Sequence, residues 1–217
     1  YADKGDGKGF LYTNEIPVPQ LVGCDRKVKT RIVTLGDSVT QGCQTSEFGY
    51  QFWAAQLLDQ LGTEDYSLWN LGIGYARASD CARQGNWLNR AVAGADLITV
   101  AFGINDIISG PYGGTGHATP EEIEADVRKI TRTCTDAGIH TILWNSPPFD
   151  MTPELDGIRT AYNETVEGIA KDNRATYFDV ASLLADPSDA SKTVYGQHPN
   201  DEGGTVITDA LVKLIQE

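Results

Sequence analysis

A three-layer α/β/α sandwich built on one five-stranded parallel sheet is the fold this sequence predicts. Three observations carry that expectation. From Arg31 onward, short apolar runs alternate with longer segments of helical period, the pattern of parallel strands joined by crossover helices. Helix-start signals stand ahead of two of the periodic segments. No internal repeat or low-complexity linker interrupts the alternation, and 217 residues suit a single domain of this kind.

Residues 1–30 are rich in Gly, Asp, Lys and Pro, and Ile16-Pro17-Val18-Pro19 cannot sit inside a helix or a central strand. An extended arm is expected there, lying on a domain that spans 31–217. Asp3, Gly5, Asp6 and Gly7 lack the ligand spacing and closing Glu of a calcium loop, so they belong to that solvated arm. Strands are predicted over 32–35, 67–71, 97–102, 141–144 and 176–180. A helix over 48–61 follows from Phe52, Ala55, Leu58 and Leu61, and another from Ile123, Val127, Ile130, Cys134 and Ala137. Thr119-Pro120-Glu121-Glu122 supplies that second helix with a cap, a first-turn proline and a capping-box glutamate. Thr152-Pro153-Glu154 opens a further helix. Residues 203–217 close the chain with Val206, Ala210, Leu211, Leu214 and Ile215 on one apolar face.

Composition narrows the functional classes. With 41% hydrophobic and 22% charged residues the chain has the balance of an ordinary globular protein. Its net charge of -13 arises without an acidic block, so the surface repels phosphate backbones and anionic membranes. No nucleic-acid partner is expected. No apolar run approaches a membrane span, and no basic region followed by an apolar stretch opens the chain, so no membrane insertion is expected. Tyr1 at the start fits a processed secreted form, a fragment or a trimmed chain, and a secreted, extracellular protein is the expectation. Cys24, Cys43, Cys81 and Cys134 show no C-x-x-C spacing and no paired His, which argues against zinc. No metal or other cofactor is expected. The cysteines are read either as buried thiols or as bridges, and a single bridge would join Cys43 to Cys81.

In an open parallel sheet, reactive groups collect past the carboxyl ends of the strands. Each informative motif falls there. The first strand runs into Leu35-Gly36-Asp37-Ser38-Val39-Thr40-Gln41-Gly42, the second into Asn70-Leu71-Gly72-Ile73-Gly74, and the third into Gly103-Ile104-Asn105-Asp106. His198-Pro199-Asn200 follows near the C-terminus, just before Gly203-Gly204. A serine hydroxyl is a poor nucleophile near neutrality and needs a base to take its proton, a task His198 can perform for Ser38. The oxyanion formed on attack needs donors fixed in advance, and the Ser38 N–H with the Asn105 side-chain amide supplies two. Each residue alone has a plainer role: Ser38 as a helix cap, Asn105 in a turn, His198 on a loop. Together they form one constellation. Asp37 and Asp106 are read as structural hydrogen-bonding groups.

These four blocks, in this order, resemble those of the SGNH or GDSL hydrolase family over about residues 32–204. The resemblance implies a flavodoxin-like sandwich and ester hydrolysis through an acyl-enzyme, with Ser38 as nucleophile, His198 as base and Asn105 as an oxyanion donor. It also implies a third donor after the second strand, where the family's glycine falls at Gly74 or Tyr75. Either backbone N–H can serve. The family commonly carries an Asp three residues before the histidine, and here that position is Tyr195. A phenol is neutral near pH 7 and cannot stabilise an imidazolium as a carboxylate does. Three arrangements follow: a dyad whose ring is held by a backbone carbonyl, an acid recruited from elsewhere with Asp179 the candidate, or a weakened enzyme. The dyad is the expectation, because a carbonyl also fixes the imidazole tautomer.

His117 and His140 compete with His198 for the role of base. His140 precedes the fourth strand and so lies at the wrong end of the sheet. His117 lies in the Gly-rich stretch 109–118 on the correct rim, although a loop supports a base poorly. The chain has no Gly-x-Ser-x-Gly elbow and no long apolar lid, which favours small soluble esters as substrates. Trp69, Trp87, Trp144 and Tyr112 are candidates for flat faces against sugar rings, and removal of acetyl groups from a carbohydrate is the expected reaction. Lysophospholipase or thioesterase activity is the alternative within the class. An O-acyltransferase and a carbohydrate-binding module that has lost catalysis are the rivals outside it.

Overall fold

The computed structural model describes residues 27–43, 45–46, 51–83, 85–110, 116–184, 193–194 and 198–217. In chain order its elements are β1 (Thr30–Gly36), α1 (Ser38–Gln41), α2 (Trp53–Leu61), β2 (Tyr66–Gly72), α3 (Ala78–Arg83), α4 (Gly85–Gly94), β3 (Leu97–Ala101) and α5 (Ile104–Ser109). There follow α6 (Pro120–Asp136), β4 (His140–Trp144), α7 (Pro153–Asp172), β5 (Thr176–Phe178), α8 (Val180–Leu183), β6 (Thr193–Val194), β7 (His198–Pro199) and α9 (Asp201–Gln216). The five long strands pair in parallel in the order β2-β1-β3-β4-β5, the flavodoxin-like order. All five predicted strands are present.

Why apolar runs, rather than alternating ones, form these strands is visible in the packing. Val33, Leu35, Ile98, Val100 and Leu143 join a core that includes Cys81, Leu88, Val127, Ile130, Tyr162 and Val166, side chains of α3, α4, α6 and α7. Their neighbours Ile32, Leu97, Ile142, Trp144 and Phe178 face the other way, onto Trp53, Leu57, Ile207 and Leu211 of α2 and α9. Both faces of the sheet are covered, so both sets of side chains must be apolar. Burying a large aliphatic side chain contributes roughly 1.5–3 kcal/mol, which makes these two layers the main source of stability.

Capping chemistry sets several ends. Thr119 and Glu122 form the expected capping box at α6, with the Thr119 N–H donating to Glu122 Oε2 at 2.9 Å. Thr152 caps α7. The last helix begins at Asp201 rather than at residue 203, because the Asn200 side chain accepts from the Gly203 N–H at 2.9 Å. Likewise β5 ends at Phe178, short of the predicted 180, since Asp179 turns the chain by capping α8. β3 ends one residue before Phe102, and the chain turns at Gly103, whose φ is 129° and where a Cβ would press 2.9 Å from the Tyr162 ring. The helix predicted over 48–61 begins at Trp53; residues 48–50 of that expectation, and residues 1–26 of the arm, lie outside the described residues.

Two expectations are corrected. Cys43 and Cys81 form no bridge: both are free thiols, as is Cys134. Cys81 points into the core from α3, and burial pushes its thiol well above the usual range, whereas Cys43 is half-buried on the turn after α1 with its Sγ 3.6 Å from Gln41 Oε1. Cys24 lies outside the described residues. The tryptophans are not open platforms either. Trp144 is fully buried between Trp53 and Phe178, with ring centroids 4.7 and 4.9 Å away. Trp69 and Trp87 pack onto the core, the latter edge-on to Phe102. Tyr112 lies outside the described residues. Among those described, no helix is long and apolar enough to cross a membrane.

Candidate active site

The site starts from a sharp exit at the end of β1. A Cβ on Gly36 would collide with Thr40 Oγ1 and lie 2.7 Å from the Ala101 carbonyl oxygen, so only glycine lets the strand turn this tightly between β3 and α1. Asp37 then caps α1, its Oδ1 accepting from the Val39 N–H at 3.0 Å. Ser38 is the first residue of that helix. The far end of α1 is tied to β2 by Asn70, whose Nδ2 donates to the Thr40 carbonyl at 2.8 Å while its Oδ1 accepts from Thr34 and from Gly72.

His198 reaches Ser38 from 160 residues away. Its Nε2 lies 2.8 Å from Ser38 Oγ. Three contacts bring the C-terminal segment there. Trp53 of α2 donates from Nε1 to the Val39 carbonyl at 3.0 Å, which joins α2 to α1. Thr208 of α9 donates to the Trp53 carbonyl at 2.9 Å, which joins α9 to α2. Asp201, at the start of α9, accepts from the backbone N–H and the hydroxyl of Ser46, just after α1. His198 itself is held in a short antiparallel pairing, opposite Val194. Phe149, beyond the carboxyl end of β4, sets its ring at 76° to the imidazole with centroids 5.6 Å apart. Sequence reasoning missed Phe149, although it lies in Asn145-Ser146-Pro147-Pro148-Phe149, at the strand end where the same rule placed every other block.

The three histidines lie in different places. His117 is exposed and donates from Nδ1 to the Ile107 carbonyl at 3.1 Å. His140 stands at the amino end of β4, 3.1 Å from Thr176 Oγ1. Neither shares the hydrogen bond that Ser38 makes. Asp179 accepts from Asn145 Nδ2 at 2.6 Å and from the Ser182 N–H at 3.1 Å, which makes it the cap of α8. Tyr195 lies outside the described residues. Among those described, no group of His, Cys, Asp and Glu could hold a metal ion.

Asn105 and Asp106 grip the segment after β2 with consecutive side chains. Asn105, buried at the start of α5, donates from Nδ2 to the Ala76 carbonyl at 3.0 Å. Asp106 accepts from the Ala78 N–H at 2.7 Å and the Ser79 N–H at 3.2 Å. Between β2 and α3, the Ala76 N–H returns to the Ile73 carbonyl at 3.0 Å, and Tyr75 takes φ 63°. A four-residue turn with a left-handed third residue is of type II, the position where glycine is most at ease. Tyr75, rather than Gly74, holds the left-handed position of this turn. Its N–H stands outside the bond that closes the turn.

Burial pushes the Asp37 carboxyl up to about 7, with the Val39 N–H opposing the rise and the charge of Asp106 adding to it. Burial also raises Asp106 to about 6, against the pull of the Ala78 and Ser79 N–H groups. A carboxyl whose folded-state pKa exceeds its unfolded value contributes stability fully below about pH 4, and loses it as pH rises through the folded value. Asp37→Asn keeps an acceptor for Val39 and removes the titration. Relative to the wild type it is expected to gain up to about 4 kcal/mol between about pH 4 and pH 8 in urea unfolding. A difference that stays constant over that interval would contradict the raised value.

Ser38 after β1 and Asn105 after β3 flank the crevice where the strand order reverses, the usual ligand position of such sheets. A hydroxyl paired with an imidazole in that crevice is the pairing that serine hydrolases use, here on an α/β/α sandwich. The sequence model of the GDSL-like Lipase/Acylhydrolase family matches residues 34–206, and the chain belongs to that family, whose members are carboxylic ester hydrolases. Comparison with curated protein sequences found no match. Solved structures share the fold. An acetyl xylan esterase, AlAXEase, aligns with TM-score 0.69 and 21% identity over 85% of this chain and 99% of its own. The acetylxylan esterase Axe2 from Geobacillus stearothermophilus aligns at 0.68 and 19%, over 88% and 95%. The psychrotrophic esterase EstA from Pseudoalteromonas sp., in a structure inhibited by monoethylphosphonate, aligns at 0.66 and 17%, over 86% and 96%.

Proposed function

We propose that the chain hydrolyses small soluble esters through an acyl-Ser38 intermediate, and that its substrates are O-acetylated carbohydrates. The observation that carries the chemistry is the 2.8 Å contact of Ser38 Oγ with His198 Nε2. For Nε2 to accept the serine proton, the neutral ring carries its own proton on Nδ1. Ser38 Oγ attacks the ester carbonyl as His198 takes that proton. The developing oxyanion is met by the Ser38 and Tyr75 N–H groups and by the Asn105 Nδ2 hydrogen that does not serve Ala76. His198 then gives its proton to the leaving alkoxide, which departs as the alcohol. Water repeats the sequence on the acyl-enzyme and releases the acid.

The carbohydrate reading is supported by acetyl xylan esterases among structures of the same fold. The test is intact-mass analysis after treatment with a fluorophosphonate, together with a panel of acetylated oligosaccharides and aryl esters of increasing acyl length. One equivalent is expected on Ser38, with acetate released fastest from the oligosaccharides. A folded protein that takes no label would be a binding module, not an esterase. Faster cleavage of long-chain or thioester substrates would replace the carbohydrate reading. Acetyl transfer to an added sugar in preference to water would make the chain a transferase.

A further inference from the structure

Among the described residues, the large apolar side chains that stand exposed are Ile73, Tyr75 and Ile108. Isolated exposed apolar residues are ordinary on a protein surface. These three are not scattered. Ile73 and Tyr75 belong to the turn after β2, and Ile108 lies on α5 one helical turn beyond Asn105. The two segments are the ones joined by the Asn105 amide on the Ala76 carbonyl. Ile104 and Ile107 on the same short helix are buried, so core packing accounts for them and leaves Ile108 outside.

Tyr75 is the extreme case. It is 88% exposed, and its backbone is left-handed at φ 63°. For a residue with a Cβ, that conformation is strained where it is not for glycine. A ring so exposed buries little apolar area and returns little to the fold. Its position suggests where it acts instead. The Cα that carries the side chain is the next backbone atom after the N–H assigned to the oxyanion, so the exposed ring is anchored beside the site.

We infer that the Tyr75 ring, flanked by Ile73 and Ile108, is the platform on which the alcohol part of the ester, a pyranose ring, is seated. The inference rests on the acyl-Ser38 reading. An acetyl group is too short to meet an exposed ring at the rim, whereas the sugar that carries it extends outward. Tyrosine suits this use: the face of its ring packs against the C–H face of a sugar while its hydroxyl stays in water or bonds a sugar hydroxyl. The residue therefore determines specificity through its side chain while its backbone serves the chemistry.

The experiment compares wild type, Tyr75→Gly and Tyr75→Phe on an acetylated xylooligosaccharide, on p-nitrophenyl acetate and on p-nitrophenyl octanoate. Glycine keeps the N–H and relieves the backbone. The ratio of kcat/KM for the oligosaccharide to that for the aryl acetate is expected to fall at least about tenfold in Tyr75→Gly, the loss of one well-seated aromatic contact. The fall should come from KM, and Tyr75→Phe should hold the ratio within about threefold. An unmoved ratio overturns the inference, as does a drop confined to octanoate relative to acetate, which would make the ring an acyl-chain contact. Ser38→Ala separates the two levels. Activity that survives in Ser38→Ala overturns the acyl-Ser38 reading, whereas Ser38-dependent activity with an unmoved ratio overturns the Tyr75 platform alone.

Discussion

Ser38→Ala is expected to lower kcat for ester hydrolysis by roughly 10⁴- to 10⁶-fold, with the protein still folded. In the proposed reaction the hydroxyl is the group that forms the acyl bond, and it lies 2.8 Å from His198 Nε2. The substitution removes one oxygen from a half-buried position and leaves the cap of α1 intact, because that cap is made by Asp37. His198→Ala should cost a comparable factor. Residues that act as a unit are not additive, so the double variant should be little worse than either single one. Steady-state kinetics on an aryl acetate, with unfolding midpoints for each variant, would settle the matter. Losses that multiply in the double variant would mean that Ser38 and His198 act independently.

Asn105→Ala is expected to reduce kcat by roughly a hundredfold to a thousandfold, with KM little changed, as for any donor that engages only the transition state. Here the structure adds a stability cost. Asn105 is buried and its amide also serves the Ala76 carbonyl, so truncation leaves that acceptor without this donor, at about 1–3 kcal/mol. The same turn carries Tyr75, and any loosening of it moves the N–H proposed as a second oxyanion donor. Denaturant unfolding run beside the kinetics distinguishes the two effects. A kcat within about tenfold of wild type in a folded Asn105→Ala would remove Asn105 from the oxyanion hole.

The legibility of the fold followed from burial. Strands covered on both faces read as unbroken apolar runs, and Ile32, Leu97, Ile142 and their neighbours are of that kind. The long helices α6, α7 and α9 were legible through their period and caps. The short helices α1, α3, α5 and α8 were not, because four to six residues are too few to show a period. Asp37 and Asp106 could be recognised as structural from their turn positions, and both hold N–H groups next to the site.

By itself the sequence determined the strands and the class of the fold, and it brought forward Ser38, Asn105 and His198 as candidates, since motif order and turn chemistry are local properties. Only the tertiary structure decided which histidine meets Ser38, that Cys43 and Cys81 remain thiols, that Trp144 belongs to the core, and that Tyr75 rather than Gly74 holds the left-handed turn position. The reason is physical. A hydrogen bond between residues 160 apart, or the burial of one tryptophan rather than another, depends on how α2 and α9 pack against the sheet. That packing is the sum of many weak contacts from distant parts of the chain, and no single stretch of sequence encodes it.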